Sequence, residues 1–221
     1  KRTIDWAARL KAGAVVFHPT EVPLDPEAFD RPLKQLIREG RKNTPEYREL
    51  FGRLLQKRQA GPYMDALKQS LHELCAYVVR QGCPVFLGME NRSMCHQIPI
   101  FSEFEAILED FEGSPVKLWL DTGHGIMMEE IGLQCMPLPL KLSGQIIGMH
   151  IHDAGAGLDH YPPGMMAGDV LAPYLPLIGK VPIKVLELSS RYPAAAIQAG
   201  AKWMLERMAR WSQANSQGGK S

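Results

Sequence analysis

The sequence has 221 residues, of which 45% are hydrophobic, which is enough for one sizeable core. Its 25 basic residues nearly balance its 24 acidic residues, so no global electrostatic field draws the protein to nucleic acid or to an anionic membrane. No apolar run approaches the roughly 20 residues that span a bilayer, and the first residues do not have the pattern of a signal peptide. The four cysteines form no CxxC pair. Together these features predict a cytoplasmic protein with reduced thiols.

The domain organisation follows from the same overview. We predict a single domain over residues 1–212 and a polar tail over residues 213–221. The sequence lacks an initiator methionine and opens on the pattern of an amphipathic helix, in which Ile4, Ala7 and Leu10 share one face. This start predicts that an N-terminal portion precedes the given sequence.

Five short apolar runs predict β-strands that alternate with longer helical patterns. Each run is apolar on both faces until its last residues, which is typical of strands buried on both sides of a sheet. The alternation of strands with helices indicates βα units around a parallel sheet. The predicted strands cover residues 14–18, 84–90, 116–121, 146–152 and 183–188.

The sequence predicts where some of the helices between these strands begin and which residues form their apolar faces. Thr44 before Pro45 predicts an N-cap, and Ser102 with Glu105 has the spacing of a capping box. A last helix is predicted over residues 193–211. The apolar stripe of a further helix consists of Tyr63, Leu67, Leu71, Leu74 and Val78. The residues that we expect the last helix to bury are Ile197, Met204, Leu205 and Met208.

Polar side chains gather where the predicted strands end. Functional groups of parallel α/β folds lie at this edge, because the βα loops can vary there without disturbing the core. Three carboxylates that meet at one edge repel one another unless a cation lies between them. The residues in question are His18, Glu90, Asp121, His124, His150, His152, Asp153 and Glu187.

Each of these residues also has an ordinary structural explanation. Glu90 or Glu187 can form a salt bridge at a strand end, Asp121 can cap the next helix, and a histidine in an apolar strand is often a hydrogen-bonded core residue. The repetition at four successive strand ends nevertheless favours one divalent metal, with Mn, Mg, Co and Zn all compatible with oxygen ligands and one imidazole. The predicted ligands are Glu90, Asp121, His150 and Glu187.

The ordered motifs MENR, LDTGH, GMHIHD, LDHYPPG and VLEL resemble the xylose-isomerase-like TIM-barrel superfamily. That superfamily contains sugar isomerases and epimerases as well as zinc-dependent apurinic-site endonucleases. The resemblance implies an α/β fold, a (β/α)8 TIM barrel, of which this chain covers about the last five βα units. It also implies that the first three strands are either absent from the given sequence or supplied by another chain.

The resemblance further implies roles for the residues. It places the third ligand on His150 rather than His152, because the family pattern sets the ligand three residues before Asp153; alternation alone leaves both histidines on one side of the strand. It makes Glu90 and Glu187 the acid/base pair, acting through a metal-stabilised enediolate. His124 and His160 become substrate contacts or proton shuttles. The full set of implied substrate-binding residues is His18, Arg92, His124, His152, Asp153 and His160.

The resemblance implies a metal-dependent isomerase or epimerase that acts on a sugar, polyol or keto acid. We expect its partner to be a small sugar-like molecule and expect no membrane association, and the sequence leaves open whether the chain forms a homo-oligomer. The first alternative is an apurinic-site endonuclease, in which His18, His124 and His160 match additional zinc ligands. Leu158 opposes it because that family has an aspartate there, and Asp159 is expected to point elsewhere. Near-neutral charge also disfavours nucleic acid. The second alternative is a catalytically silent metal-binding barrel.

Overall fold

The fold is a parallel β-sheet flanked by helices. A computed structural model describes residues 1–82, 84–135, 138 and 140–218. The strands are β1 (Ala14–Phe17), β2 (Thr20–Glu21), β3 (Phe86–Glu90), β4 (Gln97–Ile98), β5 (Val116–Asp121), β6 (Ile146–Ile151), β7 (Asp153–Gly155), β8 (Leu158–Tyr161) and β9 (Ile183–Leu186). The helices are α1 (Arg2–Arg9), α2 (Asp30–Arg38), α3 (Pro45–Gln59), α4 (Tyr63–Gln81), α5 (Phe101–Asp110), α6 (Thr122–Ile131), α7 (Leu140–Ser143), α8 (Leu175–Ile178) and α9 (Ala194–Gly218).

The five predicted strands form one parallel sheet in the order β1-β3-β5-β6-β9. Strands that are neighbours in this sheet are also successive in the chain, with helices in every connection, which is the arrangement of a (β/α)8 barrel. The sheet register sets Asp121 directly beside His150. The fold therefore corresponds to part of a TIM barrel, and its strand ends share one edge.

Two short antiparallel pairs lie at the carboxyl edge of the sheet. One joins β2 to β4, and the other is the hairpin of β7 and β8. The hairpin turns at Ala156 and Gly157, both with positive φ, and the Glu130 carboxylate accepts hydrogen bonds from the backbone N–H of both residues. This hairpin positions Asp159 and His160 beside the ends of the parallel strands.

The core lies between the sheet and its helices, and the central strands are buried as predicted. The edge strand β9 differs from the prediction, because Val185 is 41% exposed. Within the described residues β9 has a neighbouring strand on one side only, which leaves part of its apolar surface uncovered. No helix in the described residues is long and apolar enough to cross a membrane.

The helices confirm some sequence predictions and correct others. Thr44 caps α3 through its hydroxyl, and the stripe of α4 buries Leu67, Leu71 and Val78. The capping box predicted at Ser102 and Glu105 is wrong. The helix begins two residues earlier than the box implies: Glu103 accepts a hydrogen bond from the Ile100 backbone N–H and pairs with the guanidinium of Arg58.

The last helix also differs from its prediction. It continues past Trp211 into the segment predicted as a tail and ends at Gly218, while residues 219–221 lie outside the described part of the chain. Met204 is buried as expected. Leu205 is 69% exposed, so its predicted burial is wrong: it follows Met204 directly, and consecutive helical residues face different directions.

Candidate metal and acid/base site

The four predicted metal ligands come together at the carboxyl edge of the sheet. Glu90 and Asp121 are the last residues of β3 and β5, His150 lies near the end of β6, and Glu187 follows β9. One ligand atom from each lies within 4.8 Å of those from the others. The parallel sheet produces this convergence because it aligns the ends of neighbouring strands.

A single imidazole nitrogen lies at the centre of the group. The Nδ1 atom of His150 is 2.9 Å from Glu90 Oε1, 2.8 Å from Glu187 Oε2 and 3.7 Å from Asp121 Oδ2. Burial alone would lower the pKa of His150, but its hydrogen bonds to Glu187 and Glu90 raise that pKa to about 10. In this arrangement the imidazole is therefore positively charged and offsets part of the carboxylate repulsion.

Two of the carboxylates are buried, and the third faces solvent. Glu90 and Asp121 have almost no exposed surface, whereas the Glu187 side chain is 42% exposed. Burial would raise the pKa of Asp121, but His124 and His152 lower it to about 2. The hydrogen-bonded His150 and the nearby His160 hold the pKa of Glu187 well below its usual range. The site thus has two buried carboxyl groups, of Glu90 and Asp121, at its base and one accessible carboxylate, of Glu187, at its mouth.

Asp121 also has the structural role named as its alternative. Its Oδ1 accepts the His124 backbone N–H at 2.8 Å and so caps α6. The two roles are compatible, because a carboxylate has lone pairs for both a cap and a cation. The buried carboxylates, one imidazole and one exposed carboxylate fit a divalent cation with oxygen and nitrogen ligands, since buried charges need pairing or metal coordination.

Two residues that the sequence does not single out hydrogen-bond neighbouring strand ends to each other. Asn91 donates from Nδ2 to the Asp121 carbonyl at 2.9 Å and accepts the Asp121 backbone N–H at 2.7 Å. Thr122 Oγ1 donates to the His152 carbonyl and accepts the His152 backbone N–H, at 2.9 and 3.0 Å. Both residues stand inside the motifs MENR and DTGH, but their types alone do not predict such two-way bonds to a neighbouring strand.

Four of the predicted substrate-binding residues lie around the mouth or wall of the site. His18 is exposed, with its Nε2 3.2 Å from Glu90 Oε2. Arg92 is partly exposed and interacts electrostatically with Glu90 and Asp121. His124 is buried, with its Nδ1 2.8 Å from the carbonyl oxygen of Asn91.

His160 is the fourth of these residues and lies on the hairpin. Its Nε2 is 3.7 Å from Glu187 Oε2, and its Nδ1 is 2.9 Å from Asp159 Oδ1. The Asp159 carboxylate, at hydrogen-bond distance, and the nearby Glu187 carboxylate raise the pKa of His160 to about 10. His160 therefore lies beside the accessible carboxylate of the site.

His152 and Asp153, also predicted as substrate contacts, lie deeper than the other four residues. His152 has no exposed surface and Asp153 almost none. The Asp153 carboxylate accepts the Met166 backbone N–H at 3.0 Å and thereby holds the loop after β8. Alternation along the strand indicates the direction of His152 but not its depth, and the structure sets this histidine behind Asp121 instead of at the surface.

Contrary to the prediction from the sequence, the Asp159 side chain does not point away from the site. Its Oδ1 contacts His160 and its Oδ2 lies 3.8 Å from His124 Nε2, so it points into the site, while Leu158 is largely exposed. Leu158 and Asp159 face opposite ways, as alternation requires, whereas the φ of 60° at His160 interrupts the alternation, so the consecutive side chains of Asp159 and His160 both reach the site. A second group of nitrogen atoms within 4.8 Å of one another belongs to His124, His152 and His160.

Comparisons with known proteins agree with this fold. No protein-family model matches the sequence, and no curated protein matches it significantly. A 3-keto-D-glucoside 4-epimerase from E. coli aligns with 93% of this chain and 68% of its own length, at 15% identity and a TM-score of 0.58. A xylose-isomerase-like protein from Rhodospirillum rubrum aligns with 91% of this chain and 64% of its own, at 18% identity and a TM-score of 0.56.

These similarities show that the chain shares the fold of the two solved structures, as the resemblance seen in the sequence implies. The chain spans about two thirds of the length of the two solved structures. At such low identity a shared fold does not by itself transfer an activity. The function of this chain must therefore be argued from its own site.

Proposed function

We propose that the protein is a divalent-metal-dependent isomerase or epimerase that acts on a sugar, polyol or keto acid by proton transfer. The observation that carries this proposal is the pair of carboxylates on one centre: Glu90 and Glu187 lie 2.9 and 2.8 Å from the same nitrogen of His150. A purely structural cation site does not need an accessible carboxylate at its mouth. The epimerase and the xylose-isomerase-like protein that share the fold support the same substrate class.

The metal would be held by Glu90, Asp121, His150 and Glu187. A divalent cation bound there would polarise a carbonyl and the adjacent hydroxyl oxygen of a substrate, which acidifies the C–H bond between them. Mn, Mg, Co and Zn all accept such a set of ligands. The convergence of the four side chains supports one cation per chain at this position.

The protein groups that move protons are the two glutamates. Glu187 is ionised and accessible, so its carboxylate can take a proton from the substrate carbon. Glu90 lies deeper and, once it has taken up a proton, can donate that proton to the other side of the same carbon or to the neighbouring one, which leaves Glu90 as a carboxylate. His160, at 3.7 Å from Glu187, is placed to pass the proton on to solvent or to a substrate hydroxyl.

The remaining polar residues would orient the substrate. His18 and Arg92 line the open side of the site, where they can bind hydroxyl or carboxylate oxygens. His124 forms part of the buried wall through its bond to Asn91. His152 and Asp153 are buried behind the site, where they would support the ligands and not contact the substrate.

The test is exchange of substrate hydrogen with solvent. The Mn2+-loaded protein is incubated in D2O with D-xylose and with a 3-keto-D-glucoside, and NMR follows deuterium incorporation beside the carbonyl. We expect incorporation that stops when a chelator removes the metal. A metal-loaded protein that exchanges hydrogen in neither these probes nor a wider panel of aldoses, ketoses, inosose-type polyols and keto acids would contradict the proposal, and would favour the catalytically silent barrel.

One observation favours a second candidate function, the zinc-dependent apurinic-site endonuclease. The carboxylate of Asp159 lies beside His160 and His124, so it supplies an acidic group that the exposed Leu158 does not. Metal analysis separates the two functions, with about one metal per chain expected for the isomerase and about three zinc ions for the endonuclease. Cleavage of an oligonucleotide with an abasic site by the zinc-loaded protein would support the second.

A further inference from the structure

Both ring nitrogens of His152 form hydrogen bonds, one as an acceptor and the other as a donor. Its Nδ1 accepts the His160 backbone N–H at 2.9 Å, a shorter contact than the 3.3 Å between Nδ1 and the Asp153 carbonyl oxygen. Because a backbone N–H can only donate, the neutral ring must then hold its proton on Nε2. That nitrogen lies 2.9 Å from Asp121 Oδ1 and 3.0 Å from Oδ2, so it donates to the carboxylate. The ring therefore joins a proposed metal ligand to the backbone of the hairpin.

The position of this ring is determined from several sides. A Cβ atom at residue 123 would lie 2.0 Å from Cε1 and 2.2 Å from Nδ1 of His152, so the close approach requires Gly123. Thr122 holds the backbone of His152 through its hydroxyl on both the N–H and the carbonyl. A buried side chain with so many constraints has one available orientation.

The bond to His160 stabilises an unusual backbone conformation. His160 has a φ of 60°, which is costly for a residue with a Cβ and persists only where the surroundings impose it. Its N–H is bonded to His152, and its carbonyl accepts the Ser189 backbone N–H at 3.1 Å. This conformation directs the His160 ring towards Glu187.

His152 does not have the geometry of a metal ligand. Both of its nitrogens already form hydrogen bonds. Its ring stacks on that of His160, with ring centroids 4.4 Å apart and an interplanar angle of 10°. Lone pairs lie in the plane of an imidazole, so parallel stacked rings do not direct them to one point. This arrangement separates His152 from His150, whose Nδ1 faces the carboxylates.

We infer that His152 is a positioning residue, which orients the Asp121 carboxylate towards the metal through Nε2 and sets the backbone of His160 through Nδ1. The inference rests on the proposed metal site. Groups that hydrogen-bond to metal ligands typically change metal affinity about 10- to 100-fold when they are removed. Asp121 has a second donor in the His124 backbone, so we expect weakened binding and not its complete loss.

Two substitutions separate the functions of the two nitrogens. In His152→Asn the amide oxygen can replace Nδ1, which keeps the bond to His160 but loses the donor to Asp121. In His152→Gln the longer side chain can place an N–H near Nε2, which keeps the donor. Mn2+ affinity is measured by titration calorimetry and the Co2+ environment by visible absorption, with His96→Asn as the control for changing a buried histidine outside the site.

We expect the dissociation constant for Mn2+ to rise about 10- to 100-fold in the asparagine variant and to stay within about threefold of wild type in the glutamine variant and the control. The Co2+ spectrum should change only in the asparagine variant. Equal affinities of the asparagine variant and wild type would overturn the role of His152. So would an equal loss in both variants, which would mean that ring shape and not the donor matters.

A third variant covers the case in which the asparagine variant does not fold. Gly123→Ala removes no polar group and favours the helix, but its methyl group must displace the His152 ring. We expect it to weaken Mn2+ binding while it remains folded by circular dichroism, and unchanged binding would refute the inference. If the wild-type protein bound neither Mn2+ nor Co2+, the proposed function and this inference would both fail.

Discussion

Replacing Glu187 by glutamine gives the sharpest test of the proton-transfer chemistry. The change keeps the size of the side chain and its capacity to hydrogen-bond, but it removes the charge and the basic oxygen that lies 2.8 Å from His150 Nδ1. Loss of a positioned general base lowers a rate by about 10²- to 10⁴-fold, which corresponds to about 3–5 kcal/mol of activation free energy. We therefore expect the rate of substrate hydrogen exchange to fall by that factor.

The assay must separate proton transfer from metal loss, because Glu187 is also a proposed ligand. Exchange of deuterium into the substrate is followed by NMR at Mn2+ concentrations that saturate each protein, and bound metal is measured in the same samples. Asp169→Asn is the matched control, since Asp169 is a partly exposed carboxylate paired with Arg207 and is not part of the ligand cluster. It should exchange at the wild-type rate.

Wild-type exchange by the metal-loaded Glu187→Gln variant would refute the role of this carboxylate as the base. A similar loss of exchange in Asp169→Asn would also count against it, because the effect would then follow from removing any charge of this kind. A selective loss in Glu187→Gln, with the metal still bound, is the result that the geometry predicts.

Three further outcomes are expected. Mn2+ binding needs neutral His150, whose pKa is raised to about 10 in the metal-free site, so Mn2+ affinity should increase with pH by up to about tenfold per unit between pH 7 and 9. Calorimetry in buffers of different ionisation enthalpy should detect the released proton, and an affinity independent of pH would contradict this. Asn91→Ala should lower the free energy of unfolding by about 2–3 kcal/mol in urea titrations, because it leaves buried backbone groups of Asp121 unpaired. Thr44→Ala should cost about 1 kcal/mol in the same measurement through loss of the α3 cap, and an unchanged midpoint would argue against that cap.

The sequence predicts the main features of the site because parallel strands impose a simple geometry. Side chains at the ends of strands that are neighbours in a parallel sheet must lie at the same edge, and the pairing of Asp121 with His150 in register is one instance. The order of the motifs predicts the fold in the same way. The convergence of Glu90 and Glu187 on His150 then follows from the sheet, although no single motif encodes it.

The sequence does not predict how deeply each residue is buried. Alternation places His150 and His152 on one side of the strand, but the turn into β7 and the absence of a side chain at Gly123 decide that His152 lies behind Asp121. Asp159 and His160 both face the site because His160 has left-handed backbone geometry, which is uncommon for a residue with a side chain and which the spacing of the motif does not indicate. Such depth and direction depend on contacts between distant segments.

Side-chain bonds to a neighbouring backbone are equally hard to predict. Asn91 and Thr122 have residue types that occur in many turns and caps, and nothing in their spacing indicates that each makes a two-way bond to the next strand. They become visible only once the register is known. Their effect is to extend the sheet hydrogen bonding to the point where the proposed ligands project.

Titration of the purified protein with Mn2+ tests the central claim most directly, with Asp121→Asn as the comparison. Asp121 is fully buried and contributes a carboxylate to the cluster of Glu90, His150 and Glu187. We predict about one tight Mn2+ per wild-type chain and a loss of affinity of at least about 100-fold in the variant, since the charge of a ligand is removed. Wild-type protein that binds no divalent cation, or an Asp121→Asn variant that binds Mn2+ as tightly as wild type, would contradict the account.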